Sequence, residues 1–401
     1  MTEIQLDQAR DAGFNPDKLR AAFALLEGWI DEGVLPGAGA LVTRSDTVAG
    51  EAYAGLADRQ AGRQVDAQTI WSLASVTKPF TATAVMLLVE AGQFSLDEPL
   101  VHLLPEFARG ATSEFDRAMV TLRHVLAHCS GLPGFSPDNV ALRQAHRPLE
   151  DFVQSFGRQA LYFAPGTAHL YSNPGILLAA EVVGRALSGT LGQEVGQPQV
   201  GHYHGFVHER VLAPLGMASS SLKPPGGWND RIAIVERTGQ EGTTYEGGNS
   251  AYYRSLGIPW GGMFSTPRDL IRFVQEFLAE SPTIVSPATA EAMTTVQFGP
   301  PDASAETAPD LRDSGARTPP LAKVEWGIGW EIKGCKRGHR SGDLTSEVTY
   351  GHAGATGTMV WADPAVGVAC VLLTNRTLSS GWTTERPRQA LFSNAVMAAA
   401  L

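Results

Sequence analysis

The chain has 401 residues, of which 43% are apolar and 18% charged, with a formal net charge of -10. This composition excludes disordered and collagen-like chains, and the length suffices for one large domain or two to three smaller ones, each with a buried core. The acidic balance and the lack of any run of five basic residues argue against a nucleic-acid partner or an anionic membrane surface, both of which need dense Lys and Arg.

Cys129, Cys335 and Cys370 lie far apart with no C-x-x-C spacing, a pattern of reduced thiols rather than of a disulfide framework or zinc knuckle. Met1 to Asp17 is polar and acidic without an apolar signal region, and no apolar stretch reaches membrane-spanning length. A cytoplasmic protein is therefore expected.

In chain order, Asn15 and Pro16 open a helix as N-cap and first-turn proline. Leu19, Phe23, Leu26 and Ile30 continue it at helical spacing, and Gly33 ends it. Ala40 to Thr43 and Thr47 to Tyr53, divided by Ser45 and Asp46, read as a β-hairpin. The middle of the chain is mainly helical, at Thr81 to Ala91, Leu122 to His128, Ile176 to Leu187 and Phe206 to Leu212. Pro267 to Ala279 reads as a surface helix, and Gly299 to Pro320, rich in Pro, Ala, Asp and Ser, as a loop or flap. A second hairpin, Thr358 to Ala362 and Gly367 to Thr374 around Asp363 and Pro364, precedes a closing helix from Glu385 to Leu401. Strands at both ends of a helical middle predict an α+β fold, an antiparallel sheet flanked by terminal helices with a helical insertion. The expected division is a sheet domain of residues 1–70 plus 230–401 and a helical domain of residues 71–229, with the active site between them.

Ser75-Val76-Thr77-Lys78 stands directly before a helical run. Residues i and i+3 share a helix face, so the Lys78 amine can reach the Ser75 hydroxyl. A serine hydroxyl is a weak nucleophile until a neighbouring group takes its proton, and the helix N-terminus favours the developing anion. The same two letters recur at Ser220-Ser221-Leu222-Lys223, but Pro224 to Gly227 follow, so this copy lies in a loop where the spacing fixes no shared face. Tyr171-Ser172-Asn173 offers a phenol that can pass a proton and an amide that can hold a carbonyl, although taken alone it reads as a surface turn with turn chemistry from Asn173-Pro174-Gly175. In Gly351-His352-Ala353-Gly354-Ala355-Thr356-Gly357 the glycines allow close backbone approach, with the Ala355 amide as a donor to an oxyanion; a plain Gly-rich turn is the alternative.

Taken in this order, the three motifs resemble those of the serine β-lactamase and penicillin-binding-protein superfamily, in particular its class C, D-aminopeptidase and family VIII carboxylesterase branch. The resemblance extends through Trp71 to Ala74, Leu126 to Pro133, Pro165-Gly166, Pro214 to Met217 and Gly261 to Thr266. It implies that Ser75 forms an acyl-enzyme, that Lys78 and Tyr171 share the proton transfers, and that Asn173 positions the acyl group. It further implies an oxyanion hole from the Ser75 and Ala355 amides, and no metal or organic cofactor. The partner is then a small-molecule ester or amide substrate; the pattern sets no oligomeric state. Where many lactam-binding relatives carry Lys-Thr-Gly, this chain has His352-Ala353-Gly354, which lacks the permanent cation and the hydroxyl that grip a substrate carboxylate. The expectation is a carboxylesterase, with a β-lactamase or D-amino-acid peptidase as the alternative and a non-catalytic sensor as a further one. His202, His204 and His208 cluster without an H-E-x-x-H pattern, so a surface helix start is expected there rather than a metal.

Overall fold

A computed structural model describes residues 3–111, 113–236, 247–298 and 325–401. The expected loop or flap at residues 299–320 lies outside the described residues. The strands run, in chain order, β1 (Glu3–Gln5), β2 (Gly37–Arg44), β3 (Thr47–Asp58), β4 (Arg63–Gln64), β5 (Trp71–Ser72), β6 (Phe264–Ser265), β7 (Glu325–Trp326), β8 (Glu331–Ile332), β9 (Tyr350–Ala353), β10 (Met359–Asp363) and β11 (Val368–Thr374). Among the described residues, nine of them form one sheet in the order β1-β3-β2-β11-β10-β9-β8-β7, with β4 on β3, and all its pairings are antiparallel. The two hairpins read from the sequence meet at the centre, where Val42 of β2 faces Cys370 of β11.

The central strands are apolar on both faces because each face is covered. Along β11, Val368, Cys370 and Leu372 join one core with Ala40, Val42 and Trp361, whereas Ala369, Val371 and Leu373 join the other. This alternation is the two-residue period of a strand buried on both sides. The helices Pro16–Asp31 and Arg388–Ala399 pack together on the first face, with the Phe23 and Phe392 rings 6.2 Å apart. The Asn15 carboxamide caps the first of these, accepting from the Asp17 amide at 3.0 Å and the Lys18 amide at 3.1 Å. Such a cap contributes about 1 kcal/mol. On the opposite face the Pro267–Gln275 helix covers β2 and β11. The helical insertion is organised by Lys78–Glu90 and Asn173–Ser188, which are buried nearly all round and pack on each other. No described helix is long and apolar enough to cross a membrane.

Several boundaries differ from the sequence reading for local reasons. The helix expected through His128 spans Leu122–Leu126, because His128 adopts φ +58° and leaves the helical path. The run expected to start at Phe206 begins earlier, as Gly201–Val207, and continues into a wider π turn at His208–Leu212. The closing helix starts at Arg388, immediately after Pro387. Glu3–Gln5, read only as polar N-terminus, pairs with β3 along the sheet edge.

Candidate active site

Ser75 lies in a 3-10 turn, Ala74–Thr77, that runs into the Lys78–Glu90 helix, so it precedes the α-helix rather than opening it. A 3-10 turn has three residues per turn, which eclipses i and i+3 more closely than an α-helix does. Ser75 Oγ and Lys78 Nζ are 3.1 Å apart. The turn is entered through Ala74 at φ +47°, a conformation costly for a residue with a Cβ. It is held there by three bonds: Thr77 Oγ1 donates to the Ala74 carbonyl at 2.6 Å, the Met263 amide to Thr77 Oγ1 at 2.9 Å, and the Leu73 amide to the Met263 carbonyl at 2.9 Å. The result is a half-buried serine in a buried frame.

Lys78 is fully buried, and burial pushes its amine well below the usual lysine range. Nζ donates to the Trp260 carbonyl at 2.8 Å and lies 4.5 Å from the centre of the Tyr171 ring. Once unprotonated, the amine keeps an N–H for Trp260 and can turn its lone pair to the Ser75 hydroxyl, the arrangement a base requires.

Tyr171 and Asn173 are carried by the chain entering the Asn173–Ser188 helix. Ser172 is its N-cap, accepting from the Gly175 amide at 3.1 Å and donating to the Pro133 carbonyl at 2.8 Å. The Asn173 side chain donates to the Gly134 carbonyl at 3.0 Å, which fixes its carboxamide against that loop. Enclosure raises the Tyr171 phenol above its usual range, while its hydrogen bond with the Ser75 hydroxyl acts in the opposite direction.

His352 lies on β9 with Nδ1 2.9 Å from the Ala353 carbonyl. A carbonyl only accepts, so Nδ1 carries the proton and Nε2 is the acceptor, 3.4 Å from the Tyr171 hydroxyl. Burial, followed by the Lys78 charge, pushes the imidazole down to about 3, so the ring is neutral at any ordinary working pH. Gly354 allows the tightest approach in the site: a Cβ there would fall 2.2 Å from both the Leu73 carbonyl oxygen and Thr358 Oγ1. Thr356 and Thr358 tie the same loop to the strand leading into the nucleophile turn, bonding the Ser72 and Leu73 carbonyls at 2.7 and 2.8 Å. Ala355 is exposed beside this seam, and no described hydrogen bond engages its N–H.

The fold thus links Ser75 to Lys78, Lys78 to Tyr171 and Tyr171 to His352, while Asn173 is held on the Gly134 loop and Gly354 packs on Leu73, two residues before the serine. Sequence reasoning missed the Trp260 carbonyl, which lies one residue before the Gly261 to Thr266 motif. The second S-x-x-K copy lies elsewhere: Ser220 Oγ donates to Asp269 at 3.0 Å and bonds Ser265 Oγ at 2.7 Å. Of the clustered histidines, His202 and His208 are exposed, whereas His204 bonds the Gly257 carbonyl at 2.8 Å. Among the described residues, no three of His, Cys, Asp and Glu gather as a metal site.

Comparison with known proteins fits this geometry. The chain is similar to Esterase EstB of Burkholderia gladioli, at 29% identity over 98% of this chain and 100% of the relative. It is 28% identical to Penicillin-binding protein 4 of Amycolatopsis lactamdurans, over 89% and 85% of the two chains. Its fold matches the crystal structure of a family VIII carboxylesterase with a TM-score of 0.72 and 18% identity, covering 99% of this chain and 100% of that one. Residues 20–393 match the Beta-lactamase family model, so the chain belongs to the beta-lactamase family and is an enzyme of its serine-hydrolase type.

Proposed function

We propose that the protein is a carboxylesterase that cleaves small esters through an acyl-enzyme on Ser75, in a site between a sheet part (residues 1–70 plus 230–401) and a mainly helical part (residues 71–229). The Lys78 amine takes the proton as Ser75 Oγ attacks the ester carbonyl. The Ser75 and Ala355 amides hold the tetrahedral oxyanion, and Asn173 orients the acyl group. As the carbon–oxygen bond breaks, Tyr171 delivers the proton to the departing alkoxide. Water then attacks the acyl-enzyme, its proton follows the reverse path, and Ser75 regains its own. The step needs no metal or cofactor.

The observation that carries the ester reading is the state of His352. Its Nδ1–H is spent on the Ala353 carbonyl, its Nε2 faces Tyr171, and it is uncharged. The nearby described cations are also engaged: Lys336 with Glu331 at 3.0 Å, Arg340 with Gln389 at 2.8 Å, Lys333 with Thr345 at 3.0 Å and Arg376 with Glu236 at 2.7 Å. A β-lactam or a D-alanyl peptide presents a carboxylate, and the charge-assisted bond that would hold it is worth about 1.5–3 kcal/mol, roughly ten- to a hundredfold in binding. An ester needs no such grip. The full-length similarity to an esterase supports the same substrate class.

The similarity to a penicillin-binding protein favours a lactam or D-alanyl substrate as the second reading. Comparing kcat/KM for p-nitrophenyl butyrate and nitrocefin separates the two. The butyrate ester is expected to win by at least ~100-fold, with slow nitrocefin turnover as leakage; a preference for nitrocefin overturns the ester reading. Absence of a burst with every ester would leave a sensor on the same scaffold.

A further inference from the structure

The segment that carries Tyr171 has almost no freedom of its own, because one short stretch of chain holds it on both sides. The Leu170 amide donates to the His128 carbonyl at 2.9 Å, and the Ser172 amide donates to His128 Nδ1 at 3.2 Å. Backbone and side chain of one residue therefore grip the amides immediately before and after the phenol. The His128 ring also packs on the Tyr171 ring, centroids 4.4 Å apart. Further along, the Asn173 amide donates to the Gly134 carbonyl at 3.1 Å.

His128 sits here under two local disadvantages. It adopts φ +58°, a left-handed conformation that non-glycine residues seldom take, and it is completely buried. Because Nδ1 accepts an amide N–H, the ring proton must be on Nε2, and among the described residues Nε2 finds no hydrogen-bond partner. Neither feature helps the fold locally, yet together they present Nδ1 to Ser172 and the ring face to Tyr171. Protonation of Nδ1 would abolish the acceptor, and burial keeps the ring neutral.

We propose that His128 is a positioning residue for the reaction: a neutral, Nε2-protonated clamp that sets the Tyr171 phenol against Lys78 and Ser75. The inference rests on the reading of Tyr171 as the proton-transfer group. Displacing a reacting group by about 1 Å can lower a rate by roughly 100-fold without touching substrate binding.

Asparagine and glycine both suit a positive φ, but only asparagine offers an acceptor near the place of Nδ1. His128→Gly and His128→Leu are expected to lower kcat for p-nitrophenyl butyrate by roughly 30- to 100-fold with KM within about threefold, whereas His128→Asn stays within about fivefold of wild type. In a Tyr171→Phe background, His128→Gly should add less than about threefold, since the group it positions is already gone. Should His128→Leu fail to fold, the asparagine and glycine pair still decides. Equal losses in Asn and Gly variants, or full activity of His128→Gly while Tyr171→Phe is inactive, overturn the clamp. Near-normal activity of Tyr171→Phe instead overturns the reading of Tyr171 itself.

Discussion

Two tetrapeptides in this chain share the letters S-x-x-K, and the fold treats them oppositely. At Ser75 the chain winds into a 3-10 turn, so serine and lysine eclipse and their polar atoms meet at 3.1 Å. At Ser221 the chain makes an isolated bridge, exchanging both backbone hydrogen bonds with Phe264 at 3.0 and 2.9 Å, and it then bends at Leu222 and Lys223. A 3-10 turn keeps i and i+3 about 6 Å apart along its axis and on one face, whereas a bridge followed by bends fixes no shared face. The degree of burial also divides the two copies. Lys78 is fully buried with its amine well below the usual range, while Lys223 is exposed, with an amine that burial also lowers; Ser75 reaches the surface, while Ser220 is buried and bonded to Asp269. Spacing offers a pair, and the local backbone with the burial of the lysine decides whether the pair can do chemistry.

The largest expected contrast is between the two serines. Ser75→Ala should lower kcat by about 10⁴-fold or more and abolish fluorophosphonate labelling of the 75 peptide. Ser220→Ala should leave kcat within about threefold but lower Tm by a few degrees, because Asp269 loses a buried donor worth about 1–3 kcal/mol. Similar activity losses in both variants would erase the distinction.

The lysines give the next contrast. Lys78→Ala is expected to cost roughly 10³-fold in kcat, and Lys78→Arg should not restore it, since a guanidinium stays ionised and cannot accept the serine proton. Lys223→Ala should be silent. Substantial rescue by arginine would mean that position 78 acts as a fixed charge rather than as a base. Tyr171→Phe should cost about 10²- to 10³-fold in kcat with little change in KM.

These contrasts mark how much the sequence could disclose. The two hairpins, the first helix and the nucleophile motif were legible because each rests on local signals: turn residues, an N-cap, an i,i+3 spacing. Ser75, Lys78, Tyr171 and His352 were all named, yet their meeting depends on β5 joining β6 and on β9 lying beside the 3-10 turn, pairings made across some 190 to 280 residues that no window of sequence contains. The Trp260 carbonyl was invisible for another reason: it is a backbone atom, and its residue type says nothing about its partner. His352 was read from type alone as a weaker grip on substrate. Its neutrality and its orientation toward Tyr171 come from burial and from the Ala353 carbonyl, neither of which a motif encodes.

Acid should distinguish the two regions more gently. Three histidines near the Ser75 site are held low by burial, His128 well below its usual range, His169 at about 4 and His352 at about 3. The unfolded chain takes up protons at about 6.5 that the folded rings refuse. Their contribution to stability is therefore complete above about pH 6.5 and is lost as pH falls toward those depressed values, at ~1.4 kcal/mol per pH unit for each ring. Thermal unfolding measured from pH 7 to 4.5 should show His169→Gln with a shallower decline than wild type. In turnover, kcat/KM should rise with pH on a single acid limb well below the ordinary lysine range, because Lys78 must be unprotonated; His352→Gln should not move that limb. A limb that shifts with His352→Gln would transfer the titration from the lysine to the imidazole.

The contact between Gly354 and Leu73 bears on how this enzyme can change. With 2.2 Å between a notional Cβ and the Leu73 carbonyl oxygen, and two threonines fastening the same seam, the loop bearing the Ala355 amide cannot drift from the turn bearing Ser75. In the proposed mechanism this seam sets the width of the gap that receives the oxyanion and resists its enlargement for a bulkier acyl chain. Phe135 and Tyr162 stand exposed on and beside the Gly131 to Gly134 loop that anchors Asn173, and they are the positions where acyl-chain preference is expected to change. A library confined to those positions should alter chain-length preference while sparing turnover, and one aimed at the glycine seam should return only inactive clones.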